Sequence, residues 1–144
     1  MAPFIFVDRI SNGLPIKVFG NGLSSRDYTY ISDIVNGIIA CIDVPRRNEV
    51  FNLGNSSPIT LQDFIALIED AIGKSAVKEF YPEQPGDMKR TYACLHKARK
   101  LLGYQPKVSL EEGIGKLVEW YRQENSHIHA LPPTPPLSEH EDNS

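Results

Sequence analysis

The chain is short of cysteine, of positive charge and of long apolar runs, and each shortage excludes a class of protein. Only two cysteines occur, Cys41 and Cys94, far apart and with no Cys-x-x-Cys, which argues against structural zinc. Each sits among apolar neighbours, so both read as reduced, buried thiols. Fifteen Lys and Arg stand against 18 Asp and Glu, a net charge of −3 and an isoelectric point near 5.8. With no basic cluster longer than a few residues, nucleic acid is not expected as a partner. No apolar run reaches the roughly 18 residues that span a bilayer, so no membrane association is expected. Met1–Arg9 lacks a basic segment followed by an apolar one, so it does not read as a secretory leader, and a cytoplasmic location is the expectation. The four histidines form no His-x-x-x-His pair, and no metal site is expected.

What remains is the composition of an ordinary folded domain. Hydrophobic residues make up 41% and charged residues 23%, and 144 residues suffice for one domain with a modest core. Residues 3–12 read as a short helix, stopped by Asn12-Gly13 and kept from resuming by Pro15. Ile16–Phe19 reads as a strand, Gly20-Asn21-Gly22 as a turn and Arg26–Ile31 as a second strand, which predicts an antiparallel hairpin across 16–31. Ser32 or Asp33 can cap a helix that runs to about Asp43, with Ile34, Val35, Ile38, Ile39 and Ile42 on one face. Val50–Leu53 reads as a third strand. Thr60 is the expected N-cap of a helix over Gln62–Ile72, with Gly73 as its stop. Val77–Tyr81 reads as a strand, 82–86 as a loop and 91–94 as a short extended piece. Leu95–Leu102 reads as a helix closed by Gly103, and a last helix opens at Ser109 or Leu110. Beyond about Gln123 the periodicity stops, and residues 123–144 read as a disordered proline-rich, acidic tail. Strands alternating with helices make the class α/β.

Six short segments then matter for their order. They are Met1-Ala2-Pro3-Phe4; Asn12-Gly13-Leu14-Pro15-Ile16-Lys17-Val18-Phe19-Gly20; Arg26-Asp27-Tyr28-Thr29-Tyr30-Ile31-Ser32-Asp33; Phe51-Asn52-Leu53-Gly54-Asn55; Gln84-Pro85-Gly86-Asp87; and Leu101-Leu102-Gly103-Tyr104-Gln105-Pro106. Across 1–122 they resemble the NAD-dependent epimerase/dehydratase family, the extended short-chain dehydrogenase/reductase group. The resemblance is to its C-terminal substrate-binding portion, and within the group it is strongest to the UDP-glucuronate 4-epimerases. It implies an α/β substrate-binding lobe over 1–122, lacking most of the Rossmann domain, with a UDP-sugar as ligand.

A nucleoside diphosphate offers a flat base, a ribose diol and two negative phosphates. A planar guanidinium suits the phosphates because it donates two hydrogen bonds at once. By the resemblance, Arg26 holds the diphosphate, Phe19 and the backbone of Lys17 cradle the uracil, and Asp87 accepts from the ribose hydroxyls. Gln84 stands where many relatives place a second arginine. It is neutral, which leaves Arg26 alone on the phosphates unless Arg90 supplies the charge. Without the resemblance these residues have plainer readings. Arg26-Asp27 would be an exposed ion pair worth about 0–1 kcal/mol, Phe19 a core aromatic, and Asp87 a turn residue.

Two parts of the family's chemistry are missing from the sequence. No Gly-x-Gly-x-x-Gly occurs; Gly20 and Gly22 precede a strand, and Gly113 and Gly115 lie inside the last predicted helix. No Tyr-x-x-x-Lys occurs either: four places after the six tyrosines stand Ser32, Ile34, Pro85, His96, Val108 and Asn125. In the family that lysine lowers the pKa of the tyrosine so that it can take a sugar hydroxyl proton. The expectation is that relatives carry both features upstream of Met1 and that the chain is a truncated product. It would have no catalytic residue, and NAD, the cofactor of the full-length family, would not bind it alone. An apolar face left without the cofactor domain is expected to make the chain marginal or self-associating, as a homo-oligomer. The expected function is the substrate-binding part of a sugar-nucleotide 4-epimerase. The alternative is a non-catalytic nucleotide-sugar-binding or protein-interaction module. Thr134-Pro135-Pro136-Leu137-Ser138 would serve the latter as a phosphorylation site or a polyproline II ligand, and an unselected tail is the plain reading.

Overall fold

The structure is a computed structural model that describes residues 2–44 and 48–128, the side chains of 126–128 excepted. Among the described residues it holds nine elements. They are α1 (Ala2–Ser11), β1 (Ile16–Phe19), β2 (Ser25–Arg26), α2 (Ile31–Asp43), β3 (Ile59–Thr60), α3 (Leu61–Ile72), β4 (Lys78–Tyr81), α4 (His96–Leu102) and α5 (Leu110–Ile128). The class is α/β, as expected.

The predicted hairpin is not formed. β1 pairs in parallel with β4, from Ile16 opposite Lys78 to Phe19 opposite Tyr81. A parallel pair needs a long crossover, and here the crossover contains α2 and α3. Gly20 and Gly22 both have positive φ and turn the chain away after β1. The loop then docks on the start of α3, where the Leu61 and Gln62 N–H groups donate to the carbonyls of Ser24 and Gly22. The expected second strand over 26–31 shrinks to β2, which pairs antiparallel with β3.

Local signals held where the partners are local. The Thr60 hydroxyl accepts from the Asp63 N–H and caps α3, and Gly73 closes the helix in the left-handed conformation. At α2 the expected cap is wrong. Tyr30 takes the cap position without a side-chain bond. Asp33 is instead buried, its two oxygens accepting the N–H groups of Lys107 and Val108 at 3.0 Å each. Asp27 makes a second tie of this kind, accepting from the N–H groups of Ser56, Ser57 and Ala93. The two carboxylates thus join the 26–33 segment to three later stretches of chain.

The main core lies between α1, β1, α3 and α5. Phe6, Val7, Ile10, Ile16, Val18, Phe64, Ile65, Ile68, Ile114, Val118 and Tyr121 form it. Each large side chain fully buried there contributes about 1.5–3 kcal/mol. A smaller cluster of Leu95, Ala98 and Tyr104 gathers Phe51, Leu53, Ala93 and Leu102. Val50–Leu53 is not a strand among the described residues; Val50 is 80% exposed, while Phe51 and Leu53 fold into this second cluster. The reading of two buried cysteines also fails. Both thiols are free, but Cys94 is exposed and Cys41 only half-buried. α5 continues to Ile128, past the expected end at Gln123, and residues 129–144 of the predicted tail lie outside the described residues.

Candidate functional site

β1 is built from alternation. Ile16 and Val18 point into the core, and Lys17 and Phe19 point out of it. The backbone alternates in the same way. The Ile16 N–H donates to the Val77 carbonyl, just before β4, and the Gly20 N–H to the Tyr81 carbonyl at its end, so the main-chain groups of Lys17 and Phe19 face the other edge of β1. Among the described residues no strand pairs with that edge.

Beside that edge lies a cavity of about 410 Å³. Lys17, Phe19, Arg26 and Asp87 line it together with Ala2, Ile5, Phe6, Arg9, Ser24, Tyr28, Ile59 and Leu61. Four of the six residues singled out in the sequence therefore meet at one place, drawn from β1, β2 and the loop after β4. Arg26 Nη2 donates to Asp87 Oδ1 at 2.6 Å, and Nη1 donates to the Ser25 carbonyl at 2.9 Å. Both side chains remain partly exposed, so the pair contributes little to stability. It does fix the guanidinium at the cavity wall with other N–H groups still free to donate. Lys17 Nζ lies 5.4 Å from the centre of the Tyr81 ring, which itself packs against Phe19 at 5.8 Å.

The other two candidates lie apart. Gln84 borders a small adjoining recess with Phe19 and Asp87. Its clearest role is in the backbone, where its carbonyl accepts from the Asp87 N–H across a turn with Gly86 at φ 84°. That turn presents Asp87. Arg90 is not among the residues lining the cavity that holds Arg26. It runs beside β2, bridged to Ser25, with its guanidinium over the Tyr92 ring at 5.7 Å.

Sequence reasoning missed Arg9 and Tyr28. Ala2, Ile5, Phe6 and Arg9 share one stripe of α1 by helical spacing, a signal present in the sequence but without a direction. Arg9 Nε donates to the Pro15 carbonyl. Tyr28 stacks on Phe64, centroids 4.2 Å apart. Burial pushes its phenol above the usual value, and the nearby Arg26 charge offsets this in part.

The usual cradle for a dinucleotide is a strand that enters a helix through a glycine-rich turn. Among the described residues, the strand that enters a helix directly is β3 into α3. There Thr60 stands where a glycine would let a pyrophosphate approach, and its hydroxyl is engaged with Asp63. Asp63 puts a negative charge in the first turn. No group of three or more His, Cys, Asp or Glu among the described residues is placed to hold a metal ion. No helix among them is long and apolar enough to cross a membrane.

Known proteins resemble this chain over most of its length. A protein of Methanocaldococcus jannaschii without an assigned activity is 50% identical over 121 residues, 84% of this chain and 37% of the relative. The UDP-glucuronate 4-epimerase of Thermodesulfobacterium geofontis is 40% identical over 85% of this chain and 38% of its own length. The crystal structure of the UDP-glucuronic acid 4-epimerase of Bacillus cereus, in complex with UDP-glucuronic acid and NAD, superposes with a TM-score of 0.81 at 34% identity. That match covers 86% of this chain and 40% of the other. The chain thus spans about two fifths of the length of these relatives. The family model for GDP-mannose 4,6 dehydratase matches residues 4–117. On that match, the chain belongs to the GDP-mannose 4,6 dehydratase family of NAD-dependent epimerases and dehydratases.

Proposed function

We propose that residues 1–122 are the substrate-binding lobe of a UDP-sugar 4-epimerase of the UDP-glucuronate or UDP-glucose type, inactive by itself. The observation that carries this reading is the convergence of Lys17, Phe19, Arg26 and Asp87 on one cavity. In this reading the free edge of β1 offers the main-chain groups of Lys17 and Phe19 to the uracil. Asp87 has one oxygen on Arg26 and turns the other to the ribose diol, and Arg26 donates its remaining N–H groups to the diphosphate. Gln84 acts through the turn that carries Asp87. Arg90 is peripheral. The reaction needs a cofactor site and a proton-transfer tyrosine that these residues do not supply. Self-association belongs to the same reading, supported by the outward apolar face of α2, where Ile31, Val35, Ile38, Ile39 and Ile42 are all exposed.

Calorimetric titration of the chain with UDP tests the site. Wild type is expected to bind, and Arg26→Ala to weaken binding at least about tenfold, the size of a lost charge-assisted hydrogen bond. Equal binding by the two proteins removes the nucleotide reading.

A further inference from the structure

The cavity carries three cationic side chains and one carboxylate, and they are not spread evenly. Arg26 and Asp87 form their pair at the Phe19 end, where Phe19, Ser24 and Asp87 also border the adjoining recess. Arg9 is anchored at the opposite end, through Nε to the carbonyl of Pro15, the residue before β1. Pro15 to Lys17 in extended chain is about 7 Å, so Arg9 stands within side-chain reach of the stretch of β1 that offers its free edge. The bond to Pro15 occupies Nε alone and leaves both terminal nitrogens of Arg9. Among the described residues no carboxylate forms an ion pair with this guanidinium. Ile5 and Phe6 also line the cavity, Phe6 buried and Ile5 exposed.

We propose that Arg9 reads the base, donating from its terminal nitrogens to a ring carbonyl oxygen and so selecting uracil over cytosine. This rests on the nucleotide reading above, because it needs a pyrimidine seated at the free edge of β1. The chemistry is one-sided. A guanidinium only donates. Uracil presents a carbonyl acceptor at ring position 4, and cytosine presents an amino donor there. With cytosine, donor faces donor and neither group is satisfied, and a site built around a hydrogen bond discriminates most strongly against the ligand that cannot complete it. Arg9 also pins the 12–15 loop to α1, so a loss of affinity alone would not identify its role. The ratio of two affinities does, since a partly unfolded variant lowers both together.

The test is calorimetric titration of the chain with UDP and with CDP, for wild type, Arg9→Met, Arg9→Lys and Arg26→Ala. Wild type is expected to prefer UDP by about tenfold. Arg9→Met loses that preference by weakening UDP while leaving CDP within about twofold, and Arg9→Lys, still a donor, retains part of it. Arg26→Ala weakens both ligands and keeps the ratio. If Arg9→Met keeps the wild-type ratio, or weakens UDP and CDP in equal proportion, base reading by Arg9 is overturned while the nucleotide site stands. If wild type binds neither ligand, or Arg26→Ala binds both as wild type does, the nucleotide site itself fails and Arg9 has nothing to read.

Discussion

Helices α2 and α3 are near twins in sequence pattern: 13 and 12 residues, each with an isoleucine-rich stripe at helical spacing. Their surroundings differ. α3 buries Phe64, Ile65 and Ile68 in the main core, all at or below 1% exposure. α2 buries Asp33 and Gly37, and turns Val35, Ile38, Ile39 and Ile42 outward. Amphipathic spacing therefore says that a helix has a face to hide, not that this stretch of chain hides it. α2 is held by its polar side, through Asp33 to the Lys107 and Val108 amides. A close approach at Gly37 helps, since a Cβ there would lie 2.7 Å from a Leu53 methyl.

The sharpest way to break the comparison is to truncate one residue on each helix. Phe64→Ala is expected to cost about 3–5 kcal/mol by leaving a cavity against Phe6 and Tyr28. Ile38→Ala, on the open face, is expected to cost less than about 0.5 kcal/mol. Urea unfolding of the two variants, at a concentration that keeps the chain monomeric, measures both, and similar losses would mean that α2 is covered within the monomer. Next in size is Asp33→Ala. It leaves two amide donors without their acceptor, and a loss of about 2–4 kcal/mol is expected. Denaturant titration beside Asp43→Ala, an exposed acid on the same helix, separates that loss from a general charge effect.

Smaller in stability, but decisive for the open face, is Ile38→Glu combined with Ile42→Glu. Sedimentation velocity is expected to show wild type associating with rising concentration and the double variant staying monomeric. Its unfolding midpoint should barely move. A monomeric wild type would show that the α2 face is tolerated by water. The smallest effect comes from buried phenols of the packed half and its neighbour. Burial raises Tyr104 above its ordinary 10.0, with the Asp33 charge adding to it. Burial and then the hydrogen bond to Asp8 raise Tyr121 in the same direction. A raised folded value favours the neutral form, so their contribution is complete below pH 10 and is lost as pH climbs through the higher folded values. Thermal melts should be flat up to pH 10 with respect to these groups and fall above it. Tyr121→Phe should remove part of that alkaline slope.

How legible each feature was depends on how far away its partner lies. Thr60 and Gly73 were read correctly as the ends of α3 because a cap bonds within its own turn. The 16–31 hairpin was misread because two extended runs joined by a glycine turn look alike whether they pair with each other or with strands much later in the chain, as Ile16 does with Lys78 and Ser25 with Thr60. Here the loop amides and carbonyls found α3 instead. Asp33 looked like a cap because nothing in its neighbours announces that residues 107 and 108 will need an acceptor. Lys17, Phe19, Arg26 and Asp87, singled out through the order of short motifs, line one cavity. Arg9 was not singled out, since an arginine in the last turn of a helix is also a plain partner for the helix dipole.

By itself the sequence determined the α/β alternation, the faces of the helices, the caps of α3, the family, and the absence of both a glycine-rich phosphate loop and a Tyr-x-x-x-Lys pair. These follow from bonds and spacings that close within a few residues, or from residues that are simply not there. Tertiary structure alone decided that β1 runs parallel to β4, that Asp27 and Asp33 tie distant amides, and that α2 keeps its isoleucines outside. It also decided that Arg9 rather than Arg90 shares a cavity with Arg26. Each of those depends on which donors, acceptors and apolar surfaces meet after the chain has closed loops of tens of residues. Composition and local periodicity carry no record of that choice.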